Sequence, residues 1–404
     1  MRVDQDVIEA MDKGLPAKTR SRLNQAVKHW VGAKERGEKV VAVVGSGPNI
    51  HEGVTTLIAE LIHKGLIDGV STSSAVINHE MAGTLERVKR INGQAMGFSL
   101  DKLPADGRME VSMIPKAQLT AYEQEIPIDT RLYQRMRRAK GEVIIKVAGN
   151  MAYPTGLRTE RLARDVLALA KRCRLPFEQV AGFGADPHTL IGAGARCGVP
   201  VLVTVPQLVG GGEVGLAVGD SMPISERSYR MAQLLEGADV IIESALALSQ
   251  EIHDGPFERF TGHGIWADWE GGWTYSLAHK KLIRIDLDPN LDKAWTRERT
   301  SHTISDAVDK GLPKTKFTKI PFRMEMSGFA RIPGSLPIVG DIGEIWPVMA
   351  ARVARDLGVT LEVMSYKQSL PAGEAFREWI VKKVNPVDRA HMFSMAREWT
   401  LNSV

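Results

Sequence analysis

Short apolar runs alternate with amphipathic segments along most of the chain, from residue 38 to residue 357. The first run, Val40–Val44, is β-branched and enters a Gly-Ser-Gly turn, which is typical of a buried strand. The next segment, Gly53–Lys64, places its apolar residues on one face of a helix. Strands that alternate with helices over about 300 residues predict an α/β fold with a doubly wound, mostly parallel sheet.

The same pattern predicts the remaining core elements. Further strands are predicted over Ile67–Ser71, Val143–Val147, Val201–Val205, Val240–Glu243, Leu282–Asp286 and Leu336–Val339. Further helices are predicted over Ala75–Lys89, Arg158–Arg172, His188–Arg196, Ser225–Glu236, Ile342–Leu357 and Ala372–Lys383. Residues 91–140 and 254–280 interrupt the alternation, and irregular stretches of that length tend to be functional.

The first 37 residues differ from the rest because they are polar and lack β-branched runs. Within them, Lys18–Arg36 has apolar residues at helical spacing, including Leu23, Val27 and Trp30. We therefore predict a helical N-terminal arm over residues 1–37, which covers the core or a neighbouring subunit. Residues 38–404 are predicted to form a single catalytic domain.

Charge and hydropathy exclude two classes of partner. The 52 Lys and Arg residues nearly balance the 48 Asp and Glu residues, and a net charge of +4 on 404 residues predicts no nucleic-acid partner. The longest apolar runs have the length of a strand, so we expect no membrane partner.

The two cysteines, Cys173 and Cys197, are isolated, which indicates a reducing compartment. The charged N-terminal segment MRVDQDVIEAMDKG has no apolar signal region, so the expected location is the cytoplasm. Cys197 is expected to be a buried core residue.

Small and hydroxyl-bearing residues follow the first two predicted strands. In an open parallel sheet, ligands bind beyond the carboxyl ends of the strands, where small residues let backbone N–H groups approach a diphosphate. Turns of this composition also serve merely to cap helices, so both interpretations stay open. The first turn has neither the G-x-G-x-x-G nor the G-K-[ST] spacing. The candidate cofactor contacts are Gly45, Ser46, Gly47, Asn49, Ser71, Thr72, Ser73 and Ser74.

Asp286, at the end of a late strand, is a further candidate for binding ribose hydroxyls, although the following Asp-Pro-Asn is equally a plain turn.

Four segments, in chain order, resemble the NAD-binding segments of deoxyhypusine synthase. They are SGPNIHEGVTTLIAELIHKGLIDGVSTSSA, KVAGNMAYP, GVPVLVTVPQLVGGGEVG and VGDIGEIWPVMAARVA. The resemblance implies a deoxyhypusine synthase-like NAD/FAD-binding fold, NAD as the cofactor, and Asp341 near the adenine end. It also implies a homo-oligomer, either a dimer or a tetramer. The archaeal ornithine cyclodeaminase family with its LOR/SDH domain is similar as well, because its second turn continues into a His-Asp pair like His79-Glu80.

Two departures argue against deoxyhypusine synthase activity itself. Arginines follow Trp295 where that family has an imine-forming lysine beside a tryptophan, and arginine stays protonated. Gln250 and Glu251 stand where that family has a His-His pair. Lys146 and Lys293 remain candidates for forming an imine.

Two groups of residues are predicted to act on the substrate. His79, Glu80, Glu251 and His253 are the catalytic candidates, since a carboxylate can anchor an ammonium group and an imidazole can move protons near neutral pH. Acids in the first turn of a helix are also favoured for purely structural reasons. Aromatic faces alternating with carboxylates suit a cationic substrate, and equally a lid or a subunit interface. These substrate-binding candidates are Asp254, Trp266, Trp269 and Trp273. Histidine spacing indicates no metal site.

The hypothesis is an NAD-dependent enzyme that oxidises a small amine or basic amino acid to an imine, followed by cyclisation or ammonia loss. Two alternatives stay open. One is an aminoalkyl transferase resembling homospermidine or deoxyhypusine synthase, and the other is a non-catalytic nucleotide-binding protein.

Overall fold

The computed structural model describes residues 3–149, 151–203, 208–244, 279–286 and 335–402, with isolated positions between 290 and 311. Its strands are β1 Val40–Val44, β2 Gly69–Thr72, β3 Leu85–Asn92, β4 Arg108–Ser112, β5 Gly141–Val147, β6 Val201–Val203, β7 Val240–Ser244, β8 Lys281–Asp286 and β9 Leu336–Val339. Its helices are α1 Gln5–Gly14, α2 Ala17–Glu35, α3 Pro48–His51, α4 Val54–His63, α5 Ser74–Met81, α6 Lys116–Glu125, α7 Thr130–Arg138, α8 Thr155–Cys173, α9 Phe177–Gly184, α10 Leu190–Cys197, α11 Glu213–Asp220, α12 Ile224–Glu236, α13 Ile342–Asp356, α14 Pro371–Lys383 and α15 Arg389–Asn402.

Six strands form the central sheet, in the spatial order β6-β2-β1-β7-β8-β9, and every neighbouring pair is parallel. Alternate residues of β1 face opposite sides of this sheet. Val40, Ala42 and Val44 join the large core with α2, α4 and α13. Val41 and Val43 pack instead against α12. The protein therefore has an α/β fold with a doubly wound parallel sheet, as the sequence predicts.

The first two helices pack on the sheet of their own chain. Leu23, Ala26 and Trp30 on α2 are completely buried. The indole Nε1 of Trp30 donates to the carbonyl oxygen of Leu66 at 3.0 Å, and its ring meets Trp346 edge-on at a centroid distance of 6.2 Å. Within this chain, α2 therefore lies on the core, and a contact of the arm with a neighbouring subunit stays a prediction.

The segment after α5 differs from the prediction. The helix predicted over Ala75–Lys89 ends at Met81, because Gly83 (φ 99°) and Thr84 (φ 68°) adopt left-handed backbone conformations that no α-helix accommodates. The chain then enters β3, which pairs antiparallel with β4 and β5 in a second sheet. Val143–Val147 is therefore a strand, as predicted, but it does not belong to the parallel sheet.

The stretch 91–140, expected to be irregular, contains β4, α6 and α7. These elements share a small core of their own with β3, in which Val111, Tyr122 and Tyr133 are buried. Four further helices that were not predicted, α3, α9, α11 and α15, also belong to the fold, and α1 lies within the predicted helical arm. In the part of the chain that the structure describes, no helix combines the length and the apolar character that crossing a membrane requires.

A buried ion pair covers the free edge of the parallel sheet at β6. Glu178 on α9 accepts a hydrogen bond from the backbone N–H of Val203 at 2.8 Å. Arg227 on α12 donates to the carbonyl oxygen of Val203 at 3.1 Å and is paired with Glu178. The two side chains thus bond the backbone N–H and the carbonyl oxygen of Val203, which a further strand would otherwise bond.

Candidate functional site

The order of the parallel strands reverses between β1 and β7. The chain builds outward from β1 through β2 to β6, then returns to the other side of β1 and continues through β7, β8 and β9. In the order of their appearance in this sheet, the strands read 3-2-1-4-5-6, which is the arrangement of dinucleotide-binding α/β sheets. In such sheets the ligand binds at the carboxyl ends of the two strands that flank the reversal.

The turn that follows β1 lies at this reversal. Ser46 and Gly47 are partly exposed, and Gly47 has φ 71° and ψ −116°, a conformation that only glycine adopts without strain. A Cβ atom on Gly47 would meet no atom within 4 Å. The backbone at Ser46 and Gly47 is therefore accessible, whereas Gly45 is buried, and the diphosphate contact by this turn stays a prediction.

Asn49, also predicted to contact the cofactor, has a different role in the structure. Its side chain is completely buried, and its Nδ2 donates to the carbonyl oxygen of Ser244 at 3.3 Å. The hydroxyl of Ser244 donates to Asn49 Oδ1 and accepts a hydrogen bond from Trp346 Nε1 at 2.7 Å. Asn49 thus joins the end of β1 to the end of β7, and the prediction of a direct contact from its side chain was wrong.

The hydroxyl-rich turn after β2 is buried. Ser71 to Ser74 are each exposed by no more than 1%. Thr72 Oγ1 donates to Val44 O at 2.6 Å, Ser73 Oγ accepts from Val76 N at 3.3 Å at the start of α5, and Ser74 Oγ accepts from Gly211 N at 3.0 Å. For Ser73 the helix-capping interpretation is therefore the one that the structure supports. The hydroxyls of Thr72, Ser73 and Ser74 thus bond neighbouring backbone segments, and their contact with a cofactor stays a prediction.

His79 on α5 is held as a neutral imidazole of known tautomer. Its Nδ1 lies 2.6 Å from the carbonyl oxygen of Ala148. A carbonyl oxygen only accepts, so Nδ1 carries the hydrogen and Nε2 carries a lone pair. Burial lowers the pKa of His79 to about 4, which keeps the ring neutral near pH 7. His79 is therefore a buried neutral imidazole near pH 7, and its catalytic role stays a prediction.

Glu80, the next residue, does not lie in the same environment. Its side chain is completely buried, and its two carboxylate oxygens accept from Leu190 N at 2.8 Å and Ile191 N at 3.1 Å, at the start of α10. Burial raises the pKa of Glu80 to about 8, although these two hydrogen bonds act in the opposite direction. The predicted contact between Glu80 and a substrate amine conflicts with this geometry, which makes Glu80 a support for α10.

The charges of His51 and Lys146 act on His79, and that of Arg377 acts on His51; we call His51, Lys146 and Arg377 the basic cluster. Burial and then the charges of Arg377 and Lys146 lower the pKa of His51, and the charge of Lys146 also acts on His79. Arg377 Nη2 donates to Ile145 O at 2.7 Å, so the guanidinium lies directly beside β5. Acidic groups also face these cations, because Lys146 pairs with Glu110 and the charges of Glu374 and Glu378 act on Arg377.

Glu86 on β3 is a further buried acid near this cluster. Its Oε1 accepts from the backbone N–H of Gly149 at 3.0 Å. Burial raises its pKa to about 7, while hydrogen bonds and the charge of Lys146 lower it. The sequence singled out Lys146 as an imine-forming candidate only. In the structure its Nζ forms an ion pair with Glu110 at 2.7 Å.

The remaining predicted residues divide into two groups. Asp341 accepts from Gly343 N at 2.9 Å, at the start of α13, and lies 3.4 Å from Lys367 Nζ, while Asp286 ends β8 as predicted. The second group lies outside the described residues, so its roles stay predictions: Glu251, His253, Asp254, Trp266, Trp269 and Trp273.

A cavity of about 620 Å³ lies at the amino ends of the parallel strands, opposite the carboxyl ends where the candidate nucleotide site lies. Lys39, Asp68 and Pro200, which line it, stand just before β1, β2 and β6, at the amino ends of these strands. Because ligands of open parallel sheets bind at the carboxyl ends, this cavity is separate from the candidate nucleotide site.

No protein-family model matches the sequence, and no curated protein matches it. Solved structures that match include the apo form of ArgZ, an arginine dihydrolase from the ornithine-ammonia cycle in cyanobacteria, with 12% identity and a TM-score of 0.39 over 82% of this chain and 31% of that chain. AgrE in its ternary complex with ornithine and NAD+ matches with 15% identity and a TM-score of 0.43 over 85% of this chain and 34% of that chain. A conserved putative LOR/SDH protein from Methanococcus maripaludis S2 matches with 10% identity and a TM-score of 0.40 over 85% of this chain and 71% of that chain. This chain thus spans about a third of the length of the ArgZ and AgrE chains.

Proposed function

We propose that this protein is an NAD-dependent enzyme that oxidises a small basic amino acid to an imine, which then cyclises or loses ammonia. The observation that carries the proposal is the open glycine turn at the point where the strand order of the sheet reverses. That position is where open α/β sheets bind dinucleotides. The resemblance of four ordered sequence segments to NAD-binding segments supports the same cofactor.

The residues of the turn fit such a cofactor. The backbone of Gly45, Ser46 and Gly47 would hold the diphosphate, since a Cβ on Gly47 would fill otherwise open space. Asp286 at the end of β8 is the candidate for binding ribose hydroxyls, and Asp341 for the adenine end. When bound, NAD would accept a hydride from the carbon that carries the substrate amine and would return it to the cyclised imine after ammonia has left, so that NAD+ is not consumed.

The chain's own residues supply the proton chemistry and the substrate contacts. His79 Nε2, which carries the lone pair of the neutral ring, accepts a proton from the substrate ammonium group, because only a neutral amine releases a hydride readily from the adjacent carbon. Arg377 and His51 of the basic cluster are the candidates for contacting the carboxylate of an amino acid, a group that the polyamine substrate of an aminoalkyl transferase lacks.

Binding of NAD to the full-length protein tests the first step. We expect isothermal titration calorimetry to detect binding, and Gly47→Ala to weaken it about tenfold or more, because strain of roughly 1–3 kcal/mol would distort the turn. Gly65→Ala is the matched control, since Gly65 also has a positive φ (67°) and open space around its Cβ position but lies after α4. Equal effects of the two substitutions, or no binding by the unaltered protein, would refute the proposed site.

Turnover tests the second step. The protein is incubated with NAD+ and basic amino acids such as ornithine. In these substrates the carbon atoms that bear an amine carry deuterium. We expect ammonia, a ring product that retains the deuterium, no net consumption of NAD+, and a slower rate with the deuterated substrate. A lengthened amine would instead identify an aminoalkyl transferase. Tight NAD binding without any product would identify a non-catalytic nucleotide-binding protein.

A further inference from the structure

Cys197 and His63 form a pair on the surface, away from the candidate nucleotide site. His63 is the last residue of α4 and Cys197 the last residue of α10, two helices that pack together. Both side chains are exposed, and Cys197 Sγ lies 3.3 Å from His63 Nδ1. The prediction that Cys197 is a buried core residue was wrong, because Gly198, with φ 66°, ends α10 at the surface.

The backbone fixes the direction of the hydrogen bond in this pair. His63 Nε2 lies 2.8 Å from the carbonyl oxygen of Pro187. That oxygen only accepts, so Nε2 carries the hydrogen of the neutral ring and Nδ1 carries the lone pair. The thiol of Cys197 is therefore the donor to Nδ1. A nucleophile, a base in hydrogen-bond reach and a third group that orients the base are the arrangement of an activated cysteine.

We propose that Cys197 is a site of reversible thiolation by low-molecular-weight disulfides. His63 Nδ1 takes the thiol proton, and the thiolate attacks one sulfur of the disulfide RSSR. A new S–S bond joins Cys197 to one RS group while the S–S bond of RSSR breaks. The departing thiolate takes the proton from His63 and leaves as RSH. The protein thiol is oxidised and the second RS group is reduced, so atoms and electrons balance.

The modified form persists because the other cysteine lies elsewhere. Cys173 is on α8, and its thiol donates to the carbonyl oxygen of Ala396 on α15 at 3.7 Å. An external thiol, attacking by the same chemistry, is therefore required to restore Cys197.

The charged groups near the pair are bonded to other partners. Arg196 Nη1 donates to the carbonyl oxygens of Ala185 and Gly192. Lys64 on α4 pairs with Glu362 at 2.9 Å, and Asp186 pairs with His188 at 2.8 Å. His63 is thus the group placed to accept the thiol proton.

Reaction of the full-length protein with oxidised glutathione tests the proposal, with the site of addition located by mass spectrometry. We expect a single addition, on Cys197, at the same rate in the unaltered protein and in Cys173→Ser. His63→Gln, which replaces the base with an amide at an exposed helix end, is expected to slow the reaction about tenfold or more at pH 7, since few unassisted thiols are ionised there. A circular dichroism melt checks that this variant is folded.

Comparison with a peptide gives a second measurement that needs only the unaltered protein. We expect the rate of the protein at pH 7 to exceed that of a cysteine in a short unstructured peptide, because His63 Nδ1 lies within hydrogen-bond distance of the Cys197 thiol. Equal rates for the protein and the peptide, equal rates for His63→Gln and the unaltered protein, or equally fast addition at Cys173 would overturn the proposal.

Discussion

At the scale of single residues, burial shifts neighbouring groups in opposite directions. His79 and Glu80 are adjacent in α5, and burial lowers the pKa of the imidazole to about 4 and raises that of the carboxyl to about 8. Both shifts favour the neutral form, because a low-dielectric environment disfavours charge of either sign. The two residues nevertheless point to different parts of the molecule, His79 to Ala148 and Glu80 to the start of α10.

The shift at His79 predicts how stability depends on pH. Between the ordinary pKa of 6.5 and the folded value of about 4, the unfolded chain binds more protons than the folded chain, so stability falls as the pH falls through this window. We expect His79→Gln to lose this contribution. The destabilisation that it causes should be smaller at pH 4.5 than at pH 7 by up to about 2–3 kcal/mol, as measured by urea unfolding at both pH values.

Glu80→Gln is the control, because the contribution of Glu80 to stability should change with pH in the opposite direction. The raised pKa of Glu80 means that the folded chain binds the extra proton between pH 4.5 and 8, so its contribution to stability declines as the pH rises. Relative to the unaltered protein, Glu80→Gln should therefore become more stable from pH 5 to pH 8. Destabilisation by His79→Gln that does not change with pH would contradict burial of a neutral imidazole.

At the scale of elements, the edge of the parallel sheet depends on a side-chain pair. Glu178 and Arg227 are almost fully enclosed, and together they bond the N–H and the carbonyl oxygen of Val203. Desolvation makes a buried ion pair costly to form, but removing one partner leaves the other charge buried and unpaired. The pair therefore locks β6, α9 and α12 together.

Breaking this pair should be far more harmful than breaking a surface pair on the same helix. We expect Arg227→Leu to lower the free energy of unfolding by about 3–5 kcal/mol. The matched control is Arg230→Leu, which removes an exposed i, i+4 pair with Glu226 and should cost no more than about 1 kcal/mol. Urea denaturation of both variants measures the two losses in the free energy of unfolding. Losses of similar size would show that the buried pair does not hold the sheet edge.

At the scale of the whole molecule, the first helices and the last helix described both pack against the central part of the protein. The backbone N–H of Asp4 donates to the hydroxyl of Tyr366 at 2.7 Å, and Asp12 on α1 pairs with Arg352 on α13. At the other end, α15 packs against α8 and α9, with Met392 and Ala396 buried. The N-terminal helices are therefore part of the hydrophobic core that the central sheet shares.

This arrangement predicts that α2 is essential for stability. Trp30→Ala removes a completely buried indole, its hydrogen bond to Leu66 and its contact with Trp346, so we expect a loss of about 3–5 kcal/mol in the free energy of unfolding. Trp399→Ala, at a tryptophan that is 40% exposed, should cause a clearly smaller loss. Thermal and urea unfolding compare the two. A Trp30→Ala variant as stable as the unaltered protein would instead indicate a separable arm.

The sequence by itself determined the parallel α/β architecture and most of its elements. Hydrophobic periodicity and Gly-rich turns are local signals, so β1, α4, β7 and α13 were predicted within a few residues of their observed ends. The position of the turn after β1 was also predicted, because a buried strand that ends in small residues marks the carboxyl edge of such a sheet.

Only the tertiary structure decided which polar side chains are available to a ligand. The side chain of Asn49 is hydrogen-bonded to Ser244, 195 positions later in the chain. The carboxylate of Glu80 is hydrogen-bonded to the backbone at the start of α10, 110 positions later. No local pattern encodes such distant partners. The basic cluster joins α3, β5 and α14, and the Cys197–His63 pair joins two helix ends in the same way. Burial and hydrogen bonding depend on what packs around a residue. Long-range packing therefore decided between a structural and a chemical role where composition had left both open.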